Sequence, residues 1–376
     1  MATVQQHDRL VSLDAFRGAT IAGMILVNNP GTWGAIYPQL KHSAWNSWTF
    51  TDWIFPFFLW IVGVAITFSL PRRQERGDTK KNILLQITKR ALIIFGLGLF
   101  LAGFPYFNLS TIRIMGVLPR IAVCYFAAST LVLYTKSVRV QICWLAGLLI
   151  SYWLMMKCIP VPGIGAGVLE KGKNFSAHID SLLLSGHMWS QTKTWDPEGI
   201  VSTLPAIATT IFGVLAGRYL HSHHSKEEKA AWMFVAGNIL LLTGATLDMW
   251  LPINKSIWTS SYSVFMAGWA LICFATFYWF IDVKGYSRWA KPFIIFGMNA
   301  IAVYVFSESF GKLYDSVIML KQPDGSEISL QEAIFKNFFI PLASPVNASL
   351  IFALCFLLFI FFIAWILWKR KWFLRV

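Results

Sequence analysis

Residues 37–48 read YPQLKHSAWNSW, which sets His42 beside Trp45 and Trp48 directly ahead of the apolar run TFTDWIFPFFLWIVGVAITFSL. Imidazole takes up and returns a proton near neutral pH, which suits acid–base catalysis or transient acyl transfer. The competing reading is a histidine packed with tryptophans at a membrane interface. Asn28, in ILVNN, is open in a similar way: its amide can donate to a developing oxyanion or simply satisfy a helix end. His187, in LLSGHMW, carries the same ambiguity as His42. Three further stretches gather polar groups at expected span ends. The loop ending in TWDPEG holds Asp180, His187, Asp196 and Glu198; LPINKSIW holds Asn254, Lys255 and Trp258; FGMNA and SES hold Asn299 and Glu308. The first of these loops is a site candidate, and the polar groups at the outer span ends could share one pocket.

Two arginines stand where lipid is expected. Arg113 and Arg120, in TIRIMGVLPRIAVCY, are seven residues apart and so share a face if one helix carries both. A charge at the bilayer centre costs roughly 2.5–3.5 kcal/mol on insertion scales, so each needs a partner. Either an Asp or Glu from another span supplies an ion pair, or the pair forms a stripe for phosphate, whose oxygens match guanidinium forks. Asp14 and Arg17, three apart in SLDAFRG, can pair locally or shape an inner entrance for an anionic substrate. Asp52, after Thr51, reads as a helix start. HSHH at 221–224 lies in a short basic loop and reads as solvated, so no metal is expected. The chain has no Walker loop, dinucleotide glycine fingerprint or nucleophile elbow.

The elements that must hold these residues follow from composition. Of 376 residues, 56% are hydrophobic, 16% aromatic and only 13% charged, too little polar surface for a soluble domain of this length. Apolar segments of spanning length fall at about 11–29, 50–70, 84–104, 114–134, 139–157, 199–220, 231–250, 257–281, 290–310 and 348–368. The expected fold is an all-α polytopic bundle of about ten transmembrane helices, one membrane domain over 1–376, with long outer loops at about 158–198 and 311–347. The net charge of +14 follows topology rather than nucleic acid. Short loops on one side carry about 18 of the 32 Lys and Arg, against about 10 in the longer loops opposite, which predicts both termini inside. That basic face would attract anionic lipid or an anionic cofactor. The first span lacks a clear cleavage site and is expected to stay attached. The five cysteines lack C-x-x-C spacing and are expected to be buried small hydrophobes.

The motifs SLDAFRG, ILVNN, LKHSAWNSWTFTDWIFPFFLWIVG, RIMGVLPRIAVCYF, DSLLLSGHMW, WDPEGIVSTLPAIA, INKSIWTSSY and FGMNAI occur in this order over most of the chain. As a set they resemble the heparan-α-glucosaminide N-acetyltransferase family. The resemblance implies transfer of an acetyl group from cytoplasmic acetyl-CoA, as co-substrate, to an amino sugar or glycan across the bilayer. It identifies His42 with the family's active histidine and Asn28 with its nearby asparagine. It leaves Arg113, Arg120 and Arg17 to hold the donor, and His187, Asp196, Glu198, Asn254, Lys255, Trp258 and Asn299 to line the acceptor site. The lysosomal member's extra luminal N-terminal region has no counterpart here, so the expectation is a multi-pass relative in a bacterial inner membrane; a homodimer is left open. A sugar permease and an O-acetyltransferase of an envelope glycan remain as alternatives.

Overall fold

The computed structural model describes residues 10–373. Thirteen helices run in chain order through them: α1 Val11–Asn28, α2 Ile54–Glu75, α3 Lys80–Gly103, α4 Val117–Tyr134, α5 Val138–Cys158, α6 Phe175–Leu183, α7 Thr203–Leu220, α8 Lys226–Leu247, α9 Ser260–Tyr278, α10 Lys291–Met298, α11 Ala300–Lys312, α12 Leu330–Ile334 and α13 Pro345–Lys369. The small hairpin of β1, Met319–Lys321, and β2, Glu327–Ser329, is the only sheet among the described residues. The fold is an all-α polytopic membrane bundle.

Eight helices among the described residues, α2, α3, α4, α5, α7, α8, α9 and α13, are long and apolar enough to cross a bilayer. α1 matches the shortest of them at 18 residues, its hydropathy lowered by Asp14, Arg17 and Asn28. The segment expected as one span at 290–310 is broken: α10 and α11 meet at Asn299 with a bend of 72°. Together these account for the ten expected segments.

Burial sorts the bundle into centre and rim. The apolar windows of α2 and α7 are 72% and 67% buried, whereas those of α5 and α8 are 17% and 22% buried, so the latter turn most of their surface to lipid. Two pairs of helices approach backbone to backbone through glycine. A Cβ on Gly63 would fall 1.9 Å from the Thr210 carbonyl oxygen and one on Gly213 would fall 2.0 Å from that of Trp60, which locks α2 to α7. Gly18 against Phe293 and Gly297 against Asp14 lock α1 to α10 in the same way.

The two ends of the bundle differ. At one end, here the basic end, Ser12 donates to Asp282, Arg218 to the carbonyls of Thr135 and Lys136, and Asn299 to that of Trp372. The α2–α3, α4–α5 and α7–α8 turns gather there. The other, loop end is stitched by contacts between distant loops: Trp45 donates to the Leu169 carbonyl, Ser47 to that of Ile253, and Gln331 to that of Pro30. Of the five cysteines, all free, only Cys124 is buried; Cys143, Cys158 and Cys355 lie exposed on the bundle surface, contrary to expectation. The spans are apolar on all sides, so the lipid-facing side of each is not marked in sequence.

Candidate active site

The loop between α1 and α2 closes with a short 3₁₀ turn, Phe50–Trp53, begun by a reciprocal capping box between Thr49 and Asp52. That box buries the Asp52 carboxylate, whose side chain is 0% exposed, and aims it back at the loop. Oδ2 accepts the backbone N–H groups of Ser43 (3.1 Å) and Thr49 (3.0 Å). Oδ1 lies 2.6 Å from His42 Nδ1. A carboxylate already accepting two N–H groups acts as acceptor, so Nδ1 carries the shared proton and Nε2 presents its lone pair. The His42 side chain is 51% exposed, which leaves Nε2 reachable from the loop end. Tyr262 of α9 donates its hydroxyl to the Asp52 carbonyl at 2.5 Å and fixes the pair to the core. Sequence showed Asp52 only as a helix start; the capping box makes it the histidine's partner as well.

Around this pair the ion pairs interlock. Asp196 and Glu198 clasp Arg113, with Nε–Oδ2 at 2.8 Å, Nη2–Oδ1 at 2.5 Å and a further contact to Glu198 Oε2. Lys255 Nζ lies 3.7 Å from the other Glu198 oxygen. Burial alone would raise the Glu198 pKa, but Lys255, Arg113 and Arg120 outweigh it and hold it at about 2. The same carboxylates keep Arg113 firmly charged despite its burial. Asp180, on α6, is pushed up to about 6 by burial, against the N–H groups of Ile200 and Asp196 that it accepts. For His42, desolvation by the surrounding loops and the Lys255 charge lower the pKa, and the Asp52 contact offsets them only in part.

Asn28 stands at the last position of α1. Its Nδ2 donates to Glu308 Oε1 of α11 at 3.0 Å. Tyr304, one turn earlier on α11, is buried. Among the described residues no group of three or more His, Cys, Asp or Glu is arranged to hold a metal.

Several expected site residues have other placements. Arg113 and Arg120 do not share a helical face: α4 begins only after Gly116, in extended backbone, so Arg113 lies on the preceding loop. Arg120 is fully buried, donating to the Gly199 carbonyl (3.0 Å) and Ser202, with its guanidinium 5.2 Å from the Trp258 ring centroid. Trp258 is itself 0% exposed and packs on Phe55 and Tyr262, so it belongs to the core beneath the site rather than to its surface. Asn254 is buried as a latch, donating to Asn46 and accepting from the Ile257 N–H. His187 Nδ1 sits 2.9 Å from the Ile112 carbonyl and pins the loop that carries Arg113. Asn299 is at the basic end, at the break between α10 and α11, and not among the loop-end groups.

Arg17 is also at the basic end, 3.2 Å from Asp14. It borders a cavity of about 830 Å³ enclosed by α1, α2, α3, α4, α10 and α11. The cavity wall is apolar at depth, with Phe58, Ile94 and Ile121, and basic toward the α2–α3 turn, with Arg72, Arg73, Lys89 and Arg90. Arg72 and Arg73 look in the sequence like ordinary membrane-flanking charge, whereas Lys89 and Arg90 lie inside the expected span at 84–104.

The profile of the family described as "Heparan-alpha-glucosaminide N-acetyltransferase, catalytic" matches residues 9–254. The chain belongs to this family. The matched region carries Asn28, the His42–Asp52 pair, the Arg113 clasp and much of the cavity wall; α11 with Glu308 lies beyond it. Two heparan-alpha-glucosaminide N-acetyltransferases are similar over most of the chain. That of Homo sapiens is 29% identical over 380 residues, 87% of this chain and 57% of its own length. That of Mus musculus is 29% identical over 352 residues, 79% of this chain and 53% of its own. The chain thus spans about half the length of the curated relatives it matches.

Proposed function

We propose that this membrane protein of the heparan-alpha-glucosaminide N-acetyltransferase family transfers an acetyl group from acetyl-CoA, bound in the basic-end cavity, to the amine of an amino sugar at the loop end. The observation that carries the reading is the His42–Asp52 pair, at 2.6 Å with Nε2 exposed, set among interlocked charges at the end opposite the cavity. The basic end is read as cytoplasmic, from its excess of Lys and Arg, in the inner membrane of a bacterium.

An apolar cavity of this size with a few convergent charged groups has the character of a small-molecule site. Arg17, Arg72, Arg73, Lys89 and Arg90 would take the donor's phosphates by charge-assisted hydrogen bonds, while the apolar depth takes the thioester arm. The donor site is therefore assigned to these residues and not to Arg113 and Arg120, neither of which borders the cavity.

At the loop end His42 Nε2 takes a proton from the attacking amine as its nitrogen bonds to the thioester carbon. The carbonyl oxygen gains charge and accepts from Asn28 Nδ2. Collapse breaks the C–S bond, and the proton held by His42 passes to the departing thiolate, giving amide and free CoA. Asp52 holds the tautomer and stabilises the imidazolium while it exists, the work an orienting carboxylate does for a catalytic histidine.

Purified protein given acetyl-CoA and glucosamine is expected to release CoA stoichiometrically with N-acetylated sugar. In proteoliposomes the sugar should gain the mass of an acetyl group and stay outside. Unmodified labelled sugar entering without acetyl-CoA would overturn the reading in favour of a permease. Acetylation restricted to hydroxyl groups would move it to the O-acetyltransferase class.

A further inference from the structure

We infer that Glu308 is a positioning residue for the transfer reaction: it fixes the orientation of the Asn28 amide so that a hydrogen of Nδ2 faces the reacting carbonyl. The inference rests on the function proposed above, in which Asn28 is the oxyanion donor.

The two ends of an Asn amide are nearly the same shape, and only hydrogen bonding decides which is N and which O. Asn29, the next residue, has its amide settled within its own helix, donating to the Ile25 carbonyl at 2.9 Å. Asn28 is at the last position of α1 with its side chain exposed, and the carbonyl one turn back does not hold it. Its partner is on the neighbouring helix α11: Glu308 Oε1 at 3.0 Å, 280 residues away in sequence. A carboxylate only accepts, so this contact selects the flip with Nδ2 toward α11. One hydrogen of Nδ2 is used; the second, fixed in the amide plane, is left to donate.

The helix face that carries Glu308 is itself held in place. Glu308 lies one turn after Tyr304 and one turn before Lys312 on one face of α11. Lys312 donates to the carbonyls of Leu101 and Phe104, which ties that face to the end of α3. The Asn28–Glu308 contact thus joins α1 to a helix face that is tied through Lys312 to the end of α3. A donor's contribution depends on its direction at the moment charge develops, so a loosened amide loses rate without losing substrate.

The test compares four variants by steady-state and single-turnover kinetics together with acetyl-CoA binding. Glu308→Leu should lower kcat about 10- to 100-fold, the scale of a misoriented catalytic group, with KM for both substrates and donor affinity little changed. Glu308→Gln, which still offers an accepting oxygen, should recover most of that loss. The pair Asn28→Asp with Glu308→Gln restores the hydrogen bond with reversed polarity but leaves no hydrogen to donate, so it should stay as slow as Asn28→Ala. Wild-type kcat in Glu308→Leu, alongside a slow Asn28→Ala, would overturn the inference and leave the proposed function standing. Recovery of turnover by the reversed pair would also overturn it, because the contact would then be structural only. Full turnover by Asn28→Ala would instead sink the reading beneath it. If Glu308→Leu fails to fold, the reversed pair and Glu308→Gln still decide the matter.

Discussion

The loop end and the basic end of this bundle solve opposite problems. At the loop end the charges around His42 are answered from within: Arg113 by Asp196 and Glu198, Glu198 also by Lys255, Asp52 by His42 and two backbone N–H groups. At the basic end Arg72, Arg73, Lys89 and Arg90 crowd a cavity whose depth is apolar. A network of short contacts is rigid and directs a few groups accurately; a cavity wall with more basic than acidic groups favours an anionic ligand. Rate should therefore be lost at one end and affinity at the other.

The largest expected effect tests the rigidity. Arg113→Met leaves Asp196 and Glu198 buried without their cation, and breaking such a pair from one side costs about 3–5 kcal/mol. Thermal unfolding in detergent should show a large drop in midpoint; an unchanged midpoint would mean the clasp is no scaffold. Next in size, His42→Ala should reduce single-turnover transfer about 100-fold or more with acetyl-CoA affinity unchanged. Normal transfer by that variant would break the division of labour at its centre. Neutralising Arg72 and Arg73 together should do the reverse, weakening acetyl-CoA binding about tenfold or more and leaving saturated turnover near normal. A fall in turnover with no change in affinity would put these arginines in the wrong half of the comparison.

The smallest effect is one of pH. His42 must be neutral at Nε2 to take a proton, so kcat/KM rises with pH through its pKa. Desolvation and the Lys255 charge lower that pKa. In Lys255→Met one lowering influence is gone, the pKa rises, and the acid limb of the profile should move to higher pH. A limb that does not move would disconnect Lys255 from the histidine.

How far the sequence could show this varies from residue to residue. Long apolar runs mark the spans plainly because lipid demands them, and the positions of His42 and Asn28 at span ends are visible for the same reason. The break at Asn299 is hidden, since FGMNAI stays apolar through the bend. Arg113 and Arg120 misled because seven-residue spacing implies a shared face only within one helix, and Gly116 starts a new one. The His42–Asp52 pair spans ten residues of loop, a separation with no periodicity to reveal it. Arg72 and Arg73 at the cavity are camouflaged by topology: beside a bilayer, basic residues are expected for orientation alone.

The first helix also fixes a length. α1 runs unbroken from Val11 to Asn28, bearing Arg17 near its beginning and Asn28 at its last position. Eleven residues at about 1.5 Å each set these two side chains about 16 Å apart along the axis. A donor whose anionic end rests at Arg17 can bring its acetyl group to Asn28 only on an arm of about that length. On the proposed assignment of Arg17 and Asn28 the helix would act as a gauge: a compact acyl phosphate anchored at the same charge would fall short, while an acetyl group on the long thiol arm of CoA would reach.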